Sequence, residues 1–192
     1  MRKIAITEFV SLDGVIEDPG GAEGYMHGGW SFKFSDPEGM KFKLDETLAF
    51  DALLLGRLTY EGFAAAWPGR EDEAGFADKM NSMPKYVVSQ SLESADWNNS
   101  HIIRGDVAAE VAKLKEGGGG DILVAGSRSL SRFLIANDLV DEYRLLMHPV
   151  LLGSGKRLFG DEELAETRPL KLVECRQLGS GSLILRYEPV RA

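Results

Sequence analysis

Apolar and polar residues alternate from Lys3 to Val10, the period of a strand, and Ser11-Leu12-Asp13-Gly14 ends the run in turn chemistry. A glycine-containing loop follows. Asp36-Pro37 then opens a helix, because aspartate accepts first-turn N–H groups and proline tolerates the first helical position. Met40, Leu44 and Leu48 fall four apart there and are expected to form one apolar face. Ala52-Leu53-Leu54-Leu55 shows no alternation, the mark of a strand covered on both sides, and Gly56-Arg57-Leu58-Thr59 turns it directly into a helix. Trp67-Pro68-Gly69 begins a polar stretch. Lys85-Tyr86-Val87-Val88 reads as another buried strand, stopped by Ser89-Gln90-Ser91, and His101-Ile102-Ile103 as a short one.

Asp106 can cap a helix with Val107, Val111 and Leu114 in an apolar stripe, and Gly117 to Gly120 terminates it. Asp121 to Ala125 returns to strand, and Gly126-Ser127 begins a helix with Leu130, Phe133 and Leu134 inward. Leu139 to Leu152, Leu170 to Leu178 and Ser182 to Glu188 give a strand-rich ending. Strands alternating with helices and then strands alone predict an α/β fold, with a mainly parallel sheet and a late antiparallel portion. With 192 residues, no internal repeat and no low-complexity boundary, the expectation is one domain over 1–192.

Charge removes several function classes. The formal net charge is −8 and no Lys/Arg-rich run occurs, so no nucleic-acid partner is expected. Cys175 is the single cysteine, which excludes an internal disulfide and a thiolate metal site and fits a reducing cytoplasm. No stretch of about 18 apolar residues occurs, and the N-terminus turns polar too soon for a signal peptide, so a cytoplasmic protein without a membrane span is expected. His27, His101 and His148 are too scattered to suggest a metal site.

Two strand ends run through glycine into a helix: Leu55-Gly56-Arg57-Leu58-Thr59 and Ala125-Gly126-Ser127-Arg128-Ser129. Glycine lets a backbone approach a ligand, and free first-turn N–H groups with the helix dipole favour an anion such as a pyrophosphate. In an open α/β sheet such ends can converge on one dinucleotide. Taken alone, a strand-glycine-helix junction is more often simple turn geometry than a phosphate site, and the three-glycine dinucleotide fingerprint is absent from both.

Leu54-Leu55-Gly56-Arg57-Leu58-Thr59-Tyr60-Glu61 resembles the glycine-arginine-x-threonine motif of dihydrofolate reductases. Ser11-Leu12-Asp13-Gly14, Val124-Ala125-Gly126-Ser127, and Leu139 to Leu145 through Pro149 to Gly155 resemble the reductase domain of the bifunctional riboflavin-biosynthesis protein RibD and its stand-alone relatives. The likeness runs in order over nearly the whole chain. It implies a dihydrofolate reductase-like sheet with helices on both faces, NADPH as hydride donor, a small-molecule substrate and a homodimer. By the same resemblance Gly56, Arg57 and Thr59 would meet cofactor phosphates, and Ser89, Gln90 and Ser91 would lie by the adenosine 2′-phosphate. Gly126, Ser127, Arg128, Ser129 and Leu130 would line the pyrophosphate, and Phe9 and Ile16 would flank the nicotinamide.

The catalytic residue is left open. Dihydrofolate reductases place a carboxylate on the helix after the first loop, and that position falls close to Met40, where no acid stands; Asp13, Trp30 and Met40 are the residues expected to meet the substrate. Asp13 and Asp36 are the candidate acids, although Asp13 also suits an Asx turn and Asp36 a helix cap. Hydride transfer needs no nucleophile or metal from the protein, since the cofactor brings the chemistry. Trp30, with Phe32, Phe34 and Met26, could form an apolar wall for a flat heterocycle or simply pack, and Asp18 to Gly29 could be a lid. The expected reaction most resembles reduction of 5-amino-6-(5-phosphoribosylamino)uracil in riboflavin biosynthesis. Reduction of another pterin, pyrimidine or carbonyl compound, or a non-catalytic nucleotide-binding dimer, are the alternatives.

Overall fold

The computed structural model describes residues 1–160 and 166–191. Eight strands, β1 (Ile4–Ser11), β2 (Ala52–Gly56), β3 (Lys85–Val88), β4 (Ser100–Ile103), β5 (Ile122–Ala125), β6 (Glu142–His148), β7 (Leu170–Gln177) and β8 (Leu183–Pro189), form one sheet in the order β4-β3-β2-β5-β1-β6-β8-β7. The pairs from β4 to β6 are parallel, while β8 is antiparallel to β6 and β7 to β8. The sheet is therefore mainly parallel with an antiparallel C-terminal edge.

Helices α1 (Pro37–Ala49), α2 (Arg57–Ala66), α3 (Phe76–Ser82), α4 (Val107–Glu116) and α5 (Arg128–Ala136) connect the strands. Each parallel connection must cross a face, so the central strands lose contact with water on both sides. All five residues of β2 are buried accordingly. One face packs Ile6, Leu54, Val124, Leu130 and Leu134 into a core under α4 and α5. The other packs Leu53, Leu55, Tyr60, Met80 and Trp97 under α2 and α3. Each such aliphatic side chain contributes about 1.5–3 kcal/mol on burial, which fixes where the strand ends stand.

Three elements differ from the sequence pattern. Helix α1 buries Gly39, Phe42, Glu46 and Thr47, while Met40 and Leu48 are exposed, so the expected Met40-Leu44-Leu48 face is turned outward. The reason is that Glu46 and Lys43 meet charged and hydroxyl partners on the sheet, which orients the helix against its apolar stripe. Phe133, expected inward on α5, is 36% exposed, and the small Ser131 takes the buried position between Leu130 and Leu134. Helix α3 arises inside the polar stretch because the Asp72 carboxylate accepts the N–H groups of Phe76 (3.0 Å) and Ala77 (2.5 Å).

Candidate active site

The chain leaves the carboxyl end of β1 for α1 on one face of the sheet, and leaves neighbouring β5 for α5 on the other. Strand ends that part in this way open a crevice, the usual ligand position of an open α/β sheet. Their last pair is Thr7 with Ala125, and β1 continues alone to Ser11. The ends of β3, β2 and β5 follow in sheet order on one side, carrying Ser89, Gly56 and Gly126. The motifs singled out in the sequence thus stand side by side.

The two glycine junctions interlock. A Cβ on Gly56 would lie 2.8 Å from Ser127 Cβ, and one on Gly126 would lie 3.1 and 3.2 Å from Thr59 Oγ1 and Cγ2. Gly126 also takes a left-handed φ of 63°, as does Ser127 at 67°. Contact between the turns is possible only without those side chains. Its product is a pair of adjacent helix N-termini, those of α2 and α5.

Neither N-terminus has a side-chain cap among the described residues, at Gly56 or at Ser127. Two of the other helices have one: Asp36 accepts from Glu38 and Gly39 N–H in α1, and Asp106 accepts from Ala109 N–H in α4. Helix α3 starts after Gly75 without a side-chain cap of its own, but Asp72 further upstream accepts from its Phe76 and Ala77 N–H groups. Arginine moreover occupies the first helical position of both uncapped helices, where a cation opposes the dipole. Arg57 is held by Glu61 at 2.9 and 3.0 Å, and Arg128 Nε donates to the Arg157 carbonyl at 3.0 Å. Two uncapped N-termini with two arginines suit a dinucleotide pyrophosphate.

The remaining sequence candidates on this side divide. The Ser89 hydroxyl accepts from Ser91 N–H (3.2 Å) and Leu92 N–H (2.9 Å), so it shapes the turn, while Gln90 and Ser91 are exposed. Ser129 is exposed, whereas Leu130 points into the core beneath. A groove of about 400 Å³ beside Leu92 is lined by Tyr60, Glu61, Asp96 and Trp97. Its two carboxylates disfavour a phosphate there.

The β1–β6 side is built differently. Glu46 of α1 is 2% exposed, and its Oε2 accepts from Thr7 Oγ1 (2.8 Å) and from Lys43, while Arg144 of β6 pairs with Oε1 at 3.5 Å. Lys43 also donates to Thr7 at 2.6 Å and stands 5.3 Å over the Phe9 ring. Next along the strands, the His148 imidazole stacks on Phe9 (5.8 Å, 14°), with Phe34 at 5.4 Å and the edge of Trp30 at 5.5 Å. Burial pushes His148 down to about 4, so the ring is neutral at pH 7. Its Nδ1 meets Ser182 Oγ at 2.9 Å, and its buried Nε2 has no hydrogen-bond partner among the described residues.

Asp13 and Asp36 are both occupied. Asp13 accepts from Ser11 Oγ (2.6 Å), Gly153 N–H (2.8 Å) and Leu152 N–H (3.2 Å), tying the first turn to the loop after β6. Burial would raise its carboxyl, but those hydrogen bonds outweigh it and hold it below the ordinary range. Asp36 caps α1 and accepts from Ser180 N–H at 3.0 Å, so it also is held low against the effect of burial. A low carboxyl is ionised at neutral pH and has no proton to give, so the tying and capping roles account for both residues. Trp30 is 1% exposed and donates from Nε1 to the Glu17 carbonyl at 2.8 Å, a packing position against His148. Met40, Met26 and Phe32 are exposed. Phe9 and Ile16 fall on opposite faces of the sheet, in separate apolar clusters. Asp18 organises its loop, accepting from Ala22 N–H (2.7 Å) and Tyr25 N–H (3.2 Å), and Tyr25 then donates to the Ser154 carbonyl at 2.7 Å.

The family model of the RibD C-terminal domain matches residues 2–184. The chain belongs to the RibD C-terminal domain family. It is 34% identical to YyaP of Bacillus subtilis (strain 168) over 189 residues, 97% of this chain and 94% of that protein. A structure from Shewanella sp. PV-4, of a protein assigned to riboflavin biosynthesis, superposes with a TM-score of 0.74 at 21% identity, covering 98% of this chain and 99% of the other. The deaminase/5-amino-6-(5-phosphoribosylamino)uracil reductase of Thermotoga maritima gives 0.67 at 15% identity, over 98% of this chain and 57% of that one. These superpositions show the dihydrofolate reductase-like RibD fold.

Within this RibD-type domain, Glu8, Lys43, Glu46, Arg144 and His148 stand out from the structure alone. Glu8 had a visible signal: Ile4, Ile6 and Val10 share its strand parity and are all buried, so an acid among them had to be interior. Lys43 and Glu46 had only their i, i+3 spacing, which a solvated helix face also shows. No helix among the described residues is long and apolar enough to cross a membrane.

Proposed function

We propose that this RibD-type domain is an NADPH-dependent reductase of a small heterocyclic substrate, most like 5-amino-6-(5-phosphoribosylamino)uracil. The observation that supports cofactor binding is the meeting of two helix N-termini, each led by an arginine, whose first-turn amides meet no aspartate among the described residues, whereas an aspartate carboxylate accepts from first-turn amides of α1, α3 and α4. First-turn amides of α2 and α5 with Arg57 and Arg128 would hold the pyrophosphate, and Gly56 and Gly126 allow the close approach. Bound NADPH supplies the hydride, so the chain itself has to bind, orient and exclude water. The nicotinamide end would then extend toward β1, and the heterocycle would lie between β1 and α1. There Phe9 offers an aromatic face, and Lys43, 20% exposed at its side chain, offers a cation to a substrate phosphate or carbonyl.

Absorbance loss of NADPH on addition of 5-amino-6-(5-phosphoribosylamino)uracil is the expected result. NADPH that fails to bind in calorimetry would overturn the reading. The full occupation of Asp13 and Asp36 favours one alternative, a nucleotide-binding module without turnover, which predicts tight NADPH binding and no oxidation with any pterin or pyrimidine. A homodimer is part of the proposal: β7 is an edge strand that exposes Leu170, Leu172 and Val173, and unpaired apolar edges invite a second copy. Light scattering at micromolar concentration should return twice the chain mass.

A further inference from the structure

Glu8 has no evident role in holding the fold. It is the first β1 residue past the last β1–β5 pair, level with Leu145 of β6 and facing no β5 residue, so it stands where the two strand ends part. The residue is 5% exposed, and its Oε1 is buried without a hydrogen-bond partner among the described residues. A leucine would pack among Ile6, Val10 and Leu145 without the cost of an unsatisfied carboxyl, so the fold alone gives no reason for an acid here.

The chemistry of the crevice does give one. The arginines and uncapped amides stand on the β2–β5 side, so a dinucleotide placed with its phosphates there brings its uncharged end toward β1. A phosphate would be repelled by an acid at that point, whereas a carboxamide oxygen would accept a hydrogen bond from a neutral one. Burial is the main cause that pushes Glu8 up to about 8. Lys43 on α1 opposes the rise, and Glu23, in the loop after β1, adds to it. The residues flanking it on its own face, Ile6, Val10 and Leu145, are uncharged. The carboxyl is therefore mostly protonated at pH 7 and able to donate.

We propose that Glu8 is a ligand-contacting acid of the crevice, which as a neutral carboxyl donates a hydrogen bond to the nicotinamide carboxamide oxygen of bound NADPH. This rests on the NADPH reading above. It makes cofactor affinity depend on a proton carried by the protein: the apparent Kd scales inversely with the protonated fraction, so loss of the proton between pH 7 and 9 loosens NADPH about tenfold.

Two measurements test it. NADPH fluorescence titrations at pH 7, 8 and 9 should show that tenfold loosening in the wild-type protein, while Glu8→Gln, whose amide donates at every pH, should change less than twofold. Carbon-13 NMR of the glutamate-labelled wild-type chain needs no substitution, and should show one carboxyl titrating near pH 8 that moves further up when NADPH is added. Wild-type binding that is flat with pH, or a pH dependence that survives in Glu8→Gln, overturns the inference and leaves the cofactor reading intact. A Glu8→Gln chain that does not fold leaves the NMR titration to decide, and no glutamate titrating above pH 6 overturns the inference. Absence of NADPH binding in both proteins overturns the cofactor reading, and this inference with it.

Discussion

On the β2–β5 side of the crevice the fold presents backbone: two interlocked glycine turns, bare helix N-termini and arginines that sit half in water. On the β1–β6 side it presents side chains instead: Glu8 on one face of the sheet, and on the other Glu46, Lys43, Arg144 and His148, mostly buried, charged or polar, with Lys43 and His148 packed on Phe9. An anion site made of amides costs the fold little, because first-turn N–H groups exist in any helix and water satisfies them when no ligand does. A buried carboxylate or imidazole lowers stability unless every partner is in place. The β1–β6 side therefore holds its polar groups against a stability penalty, which is the expected condition of a surface shaped for recognising one ligand rather than for folding.

The largest test of that contrast is Glu46→Leu. Removing the carboxylate leaves Lys43 and Arg144 facing a dry helix face, and loss of one partner from a buried pair costs about 3–5 kcal/mol. Lys43 retains some exposure and can swing toward water, so roughly 3 kcal/mol is expected in urea unfolding. NADPH affinity in the folded variant should stay within twofold. A stability change under about 1 kcal/mol would show that the cluster is solvated and that the two sides of the crevice are alike.

Next comes the dependence of stability on pH, where Glu8 and His148 act in opposite directions. Glu8 is raised to about 8 from its ordinary 4.5, so its contribution is complete below pH 4.5 and is lost as pH climbs to 8. His148 is lowered to about 4 from 6.5, so its contribution is complete above pH 6.5 and is lost as pH falls to 4. Between 4.5 and 6.5 the two slopes cancel. At about 1.4 kcal/mol per unit, stability should be flat across that window and fall by about 2 kcal/mol from pH 6.5 to 8. Denaturant midpoints at pH 5, 6.5 and 8 measure this, and Glu8→Gln should remove the alkaline fall.

The same contrast explains what was legible in the sequence. Glycine at a strand end, an aspartate before a helix and an unbroken run such as Ala52 to Leu55 are local signals, because backbone geometry is decided within a few residues. The cofactor side consists of such signals and could be read almost residue by residue. Thr7, Lys43, Glu46, Arg144 and His148 come from three elements up to 141 residues apart in the chain, and only the sheet order brings them together. Local periodicity even misled there. Met40, Leu44 and Leu48 form a good apolar stripe, yet the partners of Glu46 on β1 and β6 turn the opposite face inward.

Arg57→Ala probes the backbone side and has the smallest expected effect on the fold. Its pair with Glu61 is an i, i+4 bridge with side chains 41% and 42% exposed, worth at most about 0.5 kcal/mol. Removing a cation from the positive end of α2 returns part of that, so unfolding stability should shift by less than about 0.5 kcal/mol in either direction. Affinity should move much more. A charge-assisted hydrogen bond to phosphate contributes about 1.5–3 kcal/mol, so NADPH should bind at least tenfold more weakly, and salt should weaken the variant less than the wild type. Competition by free pyrophosphate sharpens the comparison, because a ligand without a nicotinamide should feel Arg57→Ala as strongly as NADPH does and be indifferent to Glu8→Gln. If pyrophosphate at pH 9 instead binds more tightly to Glu8→Gln than to the wild type, a phosphate lies beside the acid, the two sides of the crevice do not divide phosphate from nicotinamide, and the orientation assigned to the dinucleotide is reversed.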